Sequence, residues 1–475
     1  MIEETNAFIQ QKKFIREHAG VKEEQQLKNL KRPKIIVNPP GPKAKAFIER
    51  DHAVSSPSLT RTAPLVGVEE EGVWVKDIDG NIFLDFSSGI AVTNVGHKHP
   101  KVVEAIKRQA EKLIFVNSCD FYTLPQVELM ERLCELSPGK FKKRVFLGNS
   151  GTEAVECALK IAQWQTRNYY VIAFIGGFHG RTMGSLALTT TSVSARRHFK
   201  GMMQGVYHVP YAYCYRCPFK QEYPGCGLAC IEFIEETILK KVVPPDDVAC
   251  MLIEPIQGAG GYIVPPDDYL PTLAKLCKRN NIIFVVDEVQ TGFCRTGKWW
   301  ASDHVGVEPD VMVVSKAMAA GLPCGAAIAR AELMDWDPNA HENTLGGNPV
   351  ICEAALAVLD ILKEEKLDQN AAKVGGYLLK RFKELAESHE IIGDVRGRGM
   401  MIGIEFVEDR HTKKPAKDFR NALIEEAFKN GLVLLGAGAS SLRLAPPLIL
   451  TEEQADVGFE IFEESLKKVE KDQQR

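Results

Sequence analysis

Between about residue 100 and residue 330 the chain alternates helical patterns with short apolar runs, and no other feature restricts its fold as much. The runs are Arg144 to Leu147, Tyr170 to Ile175, Cys250 to Ile253, Ile282 to Val286 and Val311 to Val314. Strands that are apolar on every residue are covered on both faces, and a helix between two strands lets them run parallel. The pattern predicts an α/β chain whose mainly parallel sheet is flanked by helices. Upstream, Gly72 to Phe86 alternates around Asp79-Gly80-Asn81 and predicts a β-hairpin. Beyond Pro349, a helical stretch (Ile351 to Glu365) leads to strand-like segments at Met401 to Val407 and Leu442 to Leu444. The expected organisation is a charged arm or helix (1–33), the first part of a smaller α+β domain (34–95), a large domain (96–345) and the rest of the small domain (346–475).

At 475 residues the chain exceeds one ordinary core. Its 45% hydrophobic and 25% charged residues and net charge of −3 are those of an average globular protein, which points away from a nucleic-acid partner. No apolar run approaches the roughly 18 to 20 residues of a membrane span, and the first twenty residues are polar, so the expectation is a soluble, cytoplasmic protein. Of twelve cysteines, eight (Cys119, Cys134, Cys157, Cys250, Cys277, Cys294, Cys324, Cys352) stand singly, mostly among apolar neighbours, as core thiols do. The other four, Cys214-x2-Cys217-x8-Cys226-x3-Cys230, could hold a metal or form disulfides, but the interval between pairs is short for a zinc ribbon and no metal is assigned.

In a parallel sheet, ligands gather beyond the carboxyl ends of the strands, so the residues after each run carry the chemistry. After Leu147 comes Gly148-Asn149-Ser150-Gly151-Thr152-Glu153, a turn into a helix that offers N–H groups to a phosphate, or simply an N-cap. Next, Gly176-Gly177-Phe178-His179-Gly180 sets an aromatic ring and an imidazole at a rim, where a flat cofactor could stack or Phe178 could bury itself. The fourth run enters Asp287, and the fifth ends in Ser315-Lys316. A desolvated amine is poised for Schiff-base chemistry; the plainer alternative is an Asp287–Lys316 ion pair. A phosphate turn, a stacking ring, a carboxylate for a pyridinium nitrogen and a lysine for an aldehyde together describe a pyridoxal-phosphate site.

Here the chain resembles the class III aminotransferases, of the fold type I pyridoxal-phosphate group, from about residue 60 onward. The segments that carry the resemblance are Asn149 to Ala154, Gly177 to Thr182, Glu254-Pro255-Ile256-Gln257-Gly258, Asp287-Glu288-Val289-Gln290-Thr291-Gly292, Ser315-Lys316-Ala317, Asn343 to Pro349 and Arg443-Leu444-Ala445-Pro446-Pro447. It implies pyridoxal 5'-phosphate on Lys316, with Asp287 at the pyridine nitrogen. Gly151 and Thr152 would bind the phosphate, Phe178 would stack on the ring, and Gln290 would meet the phenolic oxygen. Ser150, His179, Glu254 and Val289 would complete the cofactor site. Thr344 would reach the phosphate of a neighbouring subunit, which implies a homodimer or larger assembly. Arg443 would bind a substrate carboxylate through its planar fork. Tyr122 and the turn Ser88 to Val92 are further candidates for the substrate pocket.

One position departs from the pattern. Members acting on 4-aminobutyrate or ornithine carry a Glu that masks the carboxylate-binding Arg, and here that position is Ala259. An unmasked Arg443 would take the α-carboxylate of an ordinary amino acid. The resemblance implies transamination, moving an amino group from an amino acid to a 2-oxo acid in ping-pong fashion. A racemase or epimerase of the same family is the alternative, an aminomutase a more distant one. A non-catalytic relative would have lost Lys316, which is present.

Overall fold

The computed structural model describes residues 27–473, so most of the arm expected over 1–33 lies outside the described residues. After a 13-residue helix over Pro42–Val54 come three strands: β1 (Gly67–Glu71), β2 (Trp74–Asp77) and β3 (Ile82–Asp85). The β2–β3 hairpin forms where the Asp-Gly-Asn pattern predicts it. Asp77 Oδ1 accepts from the N–H groups of Asp79 (2.9 Å) and Asn81 (2.8 Å), and Gly80 takes the left-handed φ of 93° that the turn requires.

Just behind this hairpin, buried His97 places Nε2 2.8 Å from Asp85 Oδ2 and Nδ1 2.8 Å from Glu70 Oε2. Burial alone would depress the imidazole, but the bonds to Asp85 and Glu70 outweigh it and lift its pKa from 6.5 to about 9. A raised folded-state pKa contributes stability that is complete below the unfolded value and is lost as pH rises through the folded one. Thermal unfolding should therefore show stability falling by roughly 2–3 kcal/mol between pH 6.5 and 9, and His97→Gln should flatten that slope. An unchanged slope in the variant would refute this account.

A seven-stranded sheet follows, with β4 (Lys143–Gly148), β5 (Tyr170–Phe174), β6 (Val206–Val209), β7 (Val248–Ile253), β8 (Ile283–Asp287), β9 (Val311–Val314) and β10 (Gly325–Arg330) in the order β4-β10-β9-β8-β7-β5-β6. Only β10 runs against its neighbours, β4 and β9. All five apolar runs are strands. Ile175, however, lies past the end of β5 and is exposed, and β6 and β10 were not anticipated. The Ala- and Gly-rich run Gly325-Ala-Ala-Ile-Ala-Arg330 carries little strand propensity, and burial between two partners imposes the conformation.

Helices α2 (Leu124–Leu136), α3 (Gly151–Thr166), α4 (Tyr269–Arg279) and α5 (Pro349–Glu364) pack on this sheet, and α1 (Pro100–Lys112) packs on α5. Alternate residues of one strand serve opposite cores. Val311 and Val313 join the cluster containing Ala154, Ala158 and Ile161 of α3, whereas Met312 and Val314 join that containing Val358 and Leu362 of α5. Each fully buried side chain of this size contributes about 1.5–3 kcal/mol, which is why the runs must be apolar throughout.

The chain continues as α6 (Leu367–Ser388), β11 (Ile392–Arg398), β12 (Met401–Asp409), β13 (Lys414–Pro415), α7 (Lys417–Lys429), β14 (Leu432–Val433), β15 (Leu435–Ala437), β16 (Ser441–Leu444) and α8 (Glu452–Gln473). Strands order as β11-β12-β16-β15, with β13 on β12, while β14 pairs in parallel with β3 (Leu432 opposite Leu84) and so ties the two ends of the chain into one sheet. This is the mixed α/β architecture expected of fold type I.

Six of the eight singly placed cysteines are buried, but Cys134 is half-buried and Cys119 exposed, a correction to the core-thiol expectation; both sit where α2 and its preceding loop meet solvent. The Cys214–Cys230 segment carries four free thiols, and among the described residues no group is arranged to hold a metal. No helix among them is long and apolar enough to cross a membrane.

Candidate active site

Five parallel strands, β4, β5, β7, β8 and β9, deliver their carboxyl ends to one edge of the sheet, and every predicted cofactor residue except Thr344 follows one of them. Ser150 caps α3, its side chain accepting from the Glu153 N–H at 3.3 Å. The N-cap reading is thus correct, and it leaves the amides of Gly151 and Thr152 without an acceptor among the described residues. Two free N–H groups at the positive end of a 16-residue helix form an anion cradle. A Cβ on Gly151 would stand 3.1 Å from Val289 Cγ1, so the close packing of this turn on the β8 loop needs glycine. Thr152 Oγ1 is bonded to Thr182 Oγ1 (2.8 Å) and Ser185 Oγ (2.6 Å), which fixes its rotamer.

His179 is not at the rim as expected. It is fully buried beneath Asp287, with Nδ1 2.7 Å from Asp287 Oδ2, because the N–H of His179 is drawn in by Thr189 Oγ1 at 2.9 Å. Burial would lower the imidazole's pKa, but the hydrogen bond and charge of Asp287 outweigh it and hold it above the ordinary value. Asp287 Oδ1 meanwhile accepts from the Val289 N–H at 3.0 Å. The carboxylate is thereby locked in place and backed by positive charge. Phe178, next to His179, and Val289, two residues past Asp287, are both half-buried.

Glu254 plays a part that its motif did not reveal. Its Oε1 accepts from the Phe178 N–H and its Oε2 from the Gly258 N–H, both at 2.8 Å, so one side chain fastens the β5 loop to the β7 loop. Burial pushes its carboxyl up to about 6, against the pull of His179. Gln290 packs over Gly258 and keeps a buried Oε1 without a hydrogen-bond partner.

Lys316 adopts a left-handed φ of 39°, a conformation that costs a non-glycine residue about 1–3 kcal/mol and that persists where the surroundings enforce it. Ser315 Oγ, bonded to the Cys324 carbonyl at 2.6 Å, helps to hold it. Among the described residues no carboxylate lies within ion-pair reach of the amine, and Asp287 is paired with His179 instead. The simple Asp287–Lys316 ion pair is therefore absent. Desolvation lowers the amine's pKa, the charges of Asp287 and Glu254 oppose it, and Arg443 adds to the lowering. The result is a lysine biased toward the nucleophilic free base.

Arg443 stands on β16 opposite Gly403 of β12. It has no acidic partner among the described residues, and its Nε is buried without an acceptor. Two other arginines near its sheet are held by protein partners, although the Nε of Arg295 is itself buried without one among the described residues. Arg396 bonds to Asp394, Glu405 and the Gly261 and Tyr262 carbonyls, and buried Arg295 bonds to the Met400 and Pro446 carbonyls. Neither had a sequence signal, since a bolting arginine reads like any other. Thr344 is exposed on a loop that Asn343 ties to the end of β4 through the Leu147 carbonyl (2.9 Å). Tyr122 is 96% exposed and no described contact links it to Lys316 or Arg443.

A sequence profile described as "Aminotransferase class-III" matches residues 56–466. The chain belongs to the class III aminotransferase family. It is an enzyme of that family, and two curated relatives illustrate its breadth. The chain is 39% identical to an alanine/serine racemase of Pyrococcus horikoshii, covering 92% of this chain and 93% of that one. It is also 39% identical to a probable 4-aminobutyrate aminotransferase of Bacillus subtilis, covering 88% and 96%. Among solved structures, an amine transaminase from an uncultivated Pseudomonas species in its PLP-bound form superposes with a TM-score of 0.81 at 31% identity, over 88% of this chain and 98% of that one.

Proposed function

We propose that this class III aminotransferase binds pyridoxal 5'-phosphate on Lys316 and moves the amino group of an α-amino acid to a 2-oxo acid. The observation that carries the reading is a desolvated lysine amine with no ion-pair partner among the described residues, beside a carboxylate already occupied by His179. The residues present fit the cofactor: the free amides of Gly151 and Thr152 would hold its phosphate, Phe178 and Val289 its ring faces, Asp287 its ring nitrogen, and the unpartnered Gln290 Oε1 faces the same loops. When bound, pyridoxal phosphate supplies an aldehyde that captures amines and a ring that accepts the electron pair left when the substrate Cα loses its proton. Lys316 Nζ, kept toward its free base, takes that proton and can return it. Asp287, fixed by His179 and the Val289 N–H, holds a negative charge where a protonated ring nitrogen needs one. Arg443 receives the α-carboxylate, since Ala259 offers no side chain to pair with it.

A shared site between two subunits is part of this reading. Exposed Ile114, Phe121, Tyr122 and Leu124 adjoin exposed Thr344 and Leu345 through the Ser118 Oγ bond to the Gly346 carbonyl (2.8 Å), an apolar patch suited to a second copy. Twelve free thiols suit the reducing cytoplasm.

Incubation with single L-amino acids and no oxo acid separates the two chemistries. Conversion of the cofactor to its amine form, with turnover only after 2-oxoglutarate is added, is the expected result; catalytic formation of the D-enantiomer would replace it by racemisation, which the Pyrococcus relative's name and the unmasked Arg443 favour as second reading. Arg443→Gln should raise KM for α-amino acids roughly 10²-fold and leave cofactor binding unchanged.

A further inference from the structure

Tyr262 combines three features that the chemistry above does not use. Its backbone has a φ of 53°, in the left-handed region that is strained for an aromatic residue. The strain is enforced from both sides: its N–H donates to the Gly258 carbonyl at 3.2 Å, and Arg396 Nε donates to its carbonyl oxygen at 2.9 Å. Second, its side chain is fully buried and its hydroxyl has no hydrogen-bond partner among the described residues. An orphaned buried hydroxyl is destabilising, and phenols that do no work at their oxygen are replaceable by Phe.

Third, its place is set by Gly403. A Cβ on Gly403 would lie 2.9 Å from Tyr262 Cβ, so Tyr262 occupies the room that a side chain at 403 would take. Gly403 is the cross-strand partner of Arg443, and paired residues of an antiparallel ladder project to the same face with Cβ positions about 5 Å apart. Tyr262 therefore packs beside Arg443, whose Nε is itself buried and unpartnered. Arg443 is also the first group to oppose the upward push of burial on the Tyr262 phenol. Two buried donors side by side with no acceptor between them describe a site whose acceptor arrives with the ligand.

We infer that the Tyr262 hydroxyl is a second donor to the substrate carboxylate held by Arg443, and that the strained Gly258–Tyr262 turn, bolted by Arg396, exists to present it. The inference rests on the reading that Arg443 takes the α-carboxylate. Bidentate Arg contact fixes the plane of the carboxylate, and a hydroxyl from the large-domain loop fixes its rotation within that plane. The amino acid's Cα–H is thereby turned toward Lys316, which makes Tyr262 a specificity-determining residue for substrates bearing an α-carboxylate.

The test uses the holoenzyme and two variants, Tyr262→Phe and Arg443→Gln. Dissociation constants are read from the cofactor spectrum for an L-amino acid and for the corresponding amine that lacks the carboxylate, and unfolding temperature is measured without ligand. Tyr262→Phe is expected to weaken the amino acid about 10-fold or more, to leave the amine unchanged, and to keep or raise the unfolding temperature because an unpartnered hydroxyl is removed. Unchanged amino-acid affinity in Tyr262→Phe, with a loss in Arg443→Gln, would overturn the role of Tyr262 and leave that of Arg443 standing. A clear drop in unfolding temperature, or failure of Tyr262→Phe to fold, would make the hydroxyl structural and overturn it too. If Arg443→Gln keeps the preference for the amino acid over the amine, the carboxylate reading itself falls.

Discussion

Lys316→Ala should lose turnover by about 10⁴-fold while the chain still folds. The amine both carries the proposed cofactor and moves the Cα proton, and nothing near it can replace either task. Asp287 is held by His179, Glu254 is clamped between two backbone amides, and Arg443 does not release its proton in the accessible pH range. Stability should hold or improve, because the substitution removes a desolvated amine that no ion pair compensates. Lys316→Gly should be more stable still, since glycine takes a φ of 39° without strain. Spectra should show the cofactor bound without its lysine link and lost on dialysis. Retention of more than a few per cent of the rate would remove Lys316 from the chemistry.

The second large effect is expected at Asp287. Asp287→Asn keeps the shape of the side chain and an oxygen to accept the Val289 N–H, but deletes the charge. A preorganised charge aimed at a developing electron sink is worth about 10²–10³ in rate, and kcat is expected to fall by that factor with KM little changed. His179 provides an independent readout. With Asp287 present its pKa is raised; with the partner neutral, burial dominates and the imidazole should titrate below its ordinary value. NMR titration of His179 checks the sign. A fall in kcat without that displacement would mean that the variant disturbs packing and not charge.

Legibility from sequence differed by element. The strands β4, β5, β7, β8 and β9 were readable because continuous apolar runs of this length, separated by helical stretches, have few other solutions. β10 was not, because Ala and Gly carry no strand preference and its pairing was imposed by β4 and β9 on either side. Lys316 and Asp287 were found as polar residues ending apolar strands, and Arg443 by its motif. A His among glycines reads as exposed at a rim; the Thr189 hydroxyl and, from 108 residues away, the Asp287 carboxylate turn it inward. Tyr262 carries no sequence signal, since half of what enforces its strain is Arg396, 134 residues away.

The α/β alternation, the chemical types delivered to the strand ends and the absence of a masking Glu at position 259 are all legible in the amino-acid order. Those are properties of local pattern, written in short stretches of chain. Which side chains share the site, and in what state, came from packing of distant segments: the His179–Asp287 pair across 108 residues, the two-loop clamp of Glu254 and, among the described residues, the amine of Lys316 without an ion pair and the guanidinium of Arg443 without an acidic partner beside Tyr262. Hydrogen-bond partners and desolvation depend on distances of an ångström between distant segments, and packing of the whole chain sets those distances.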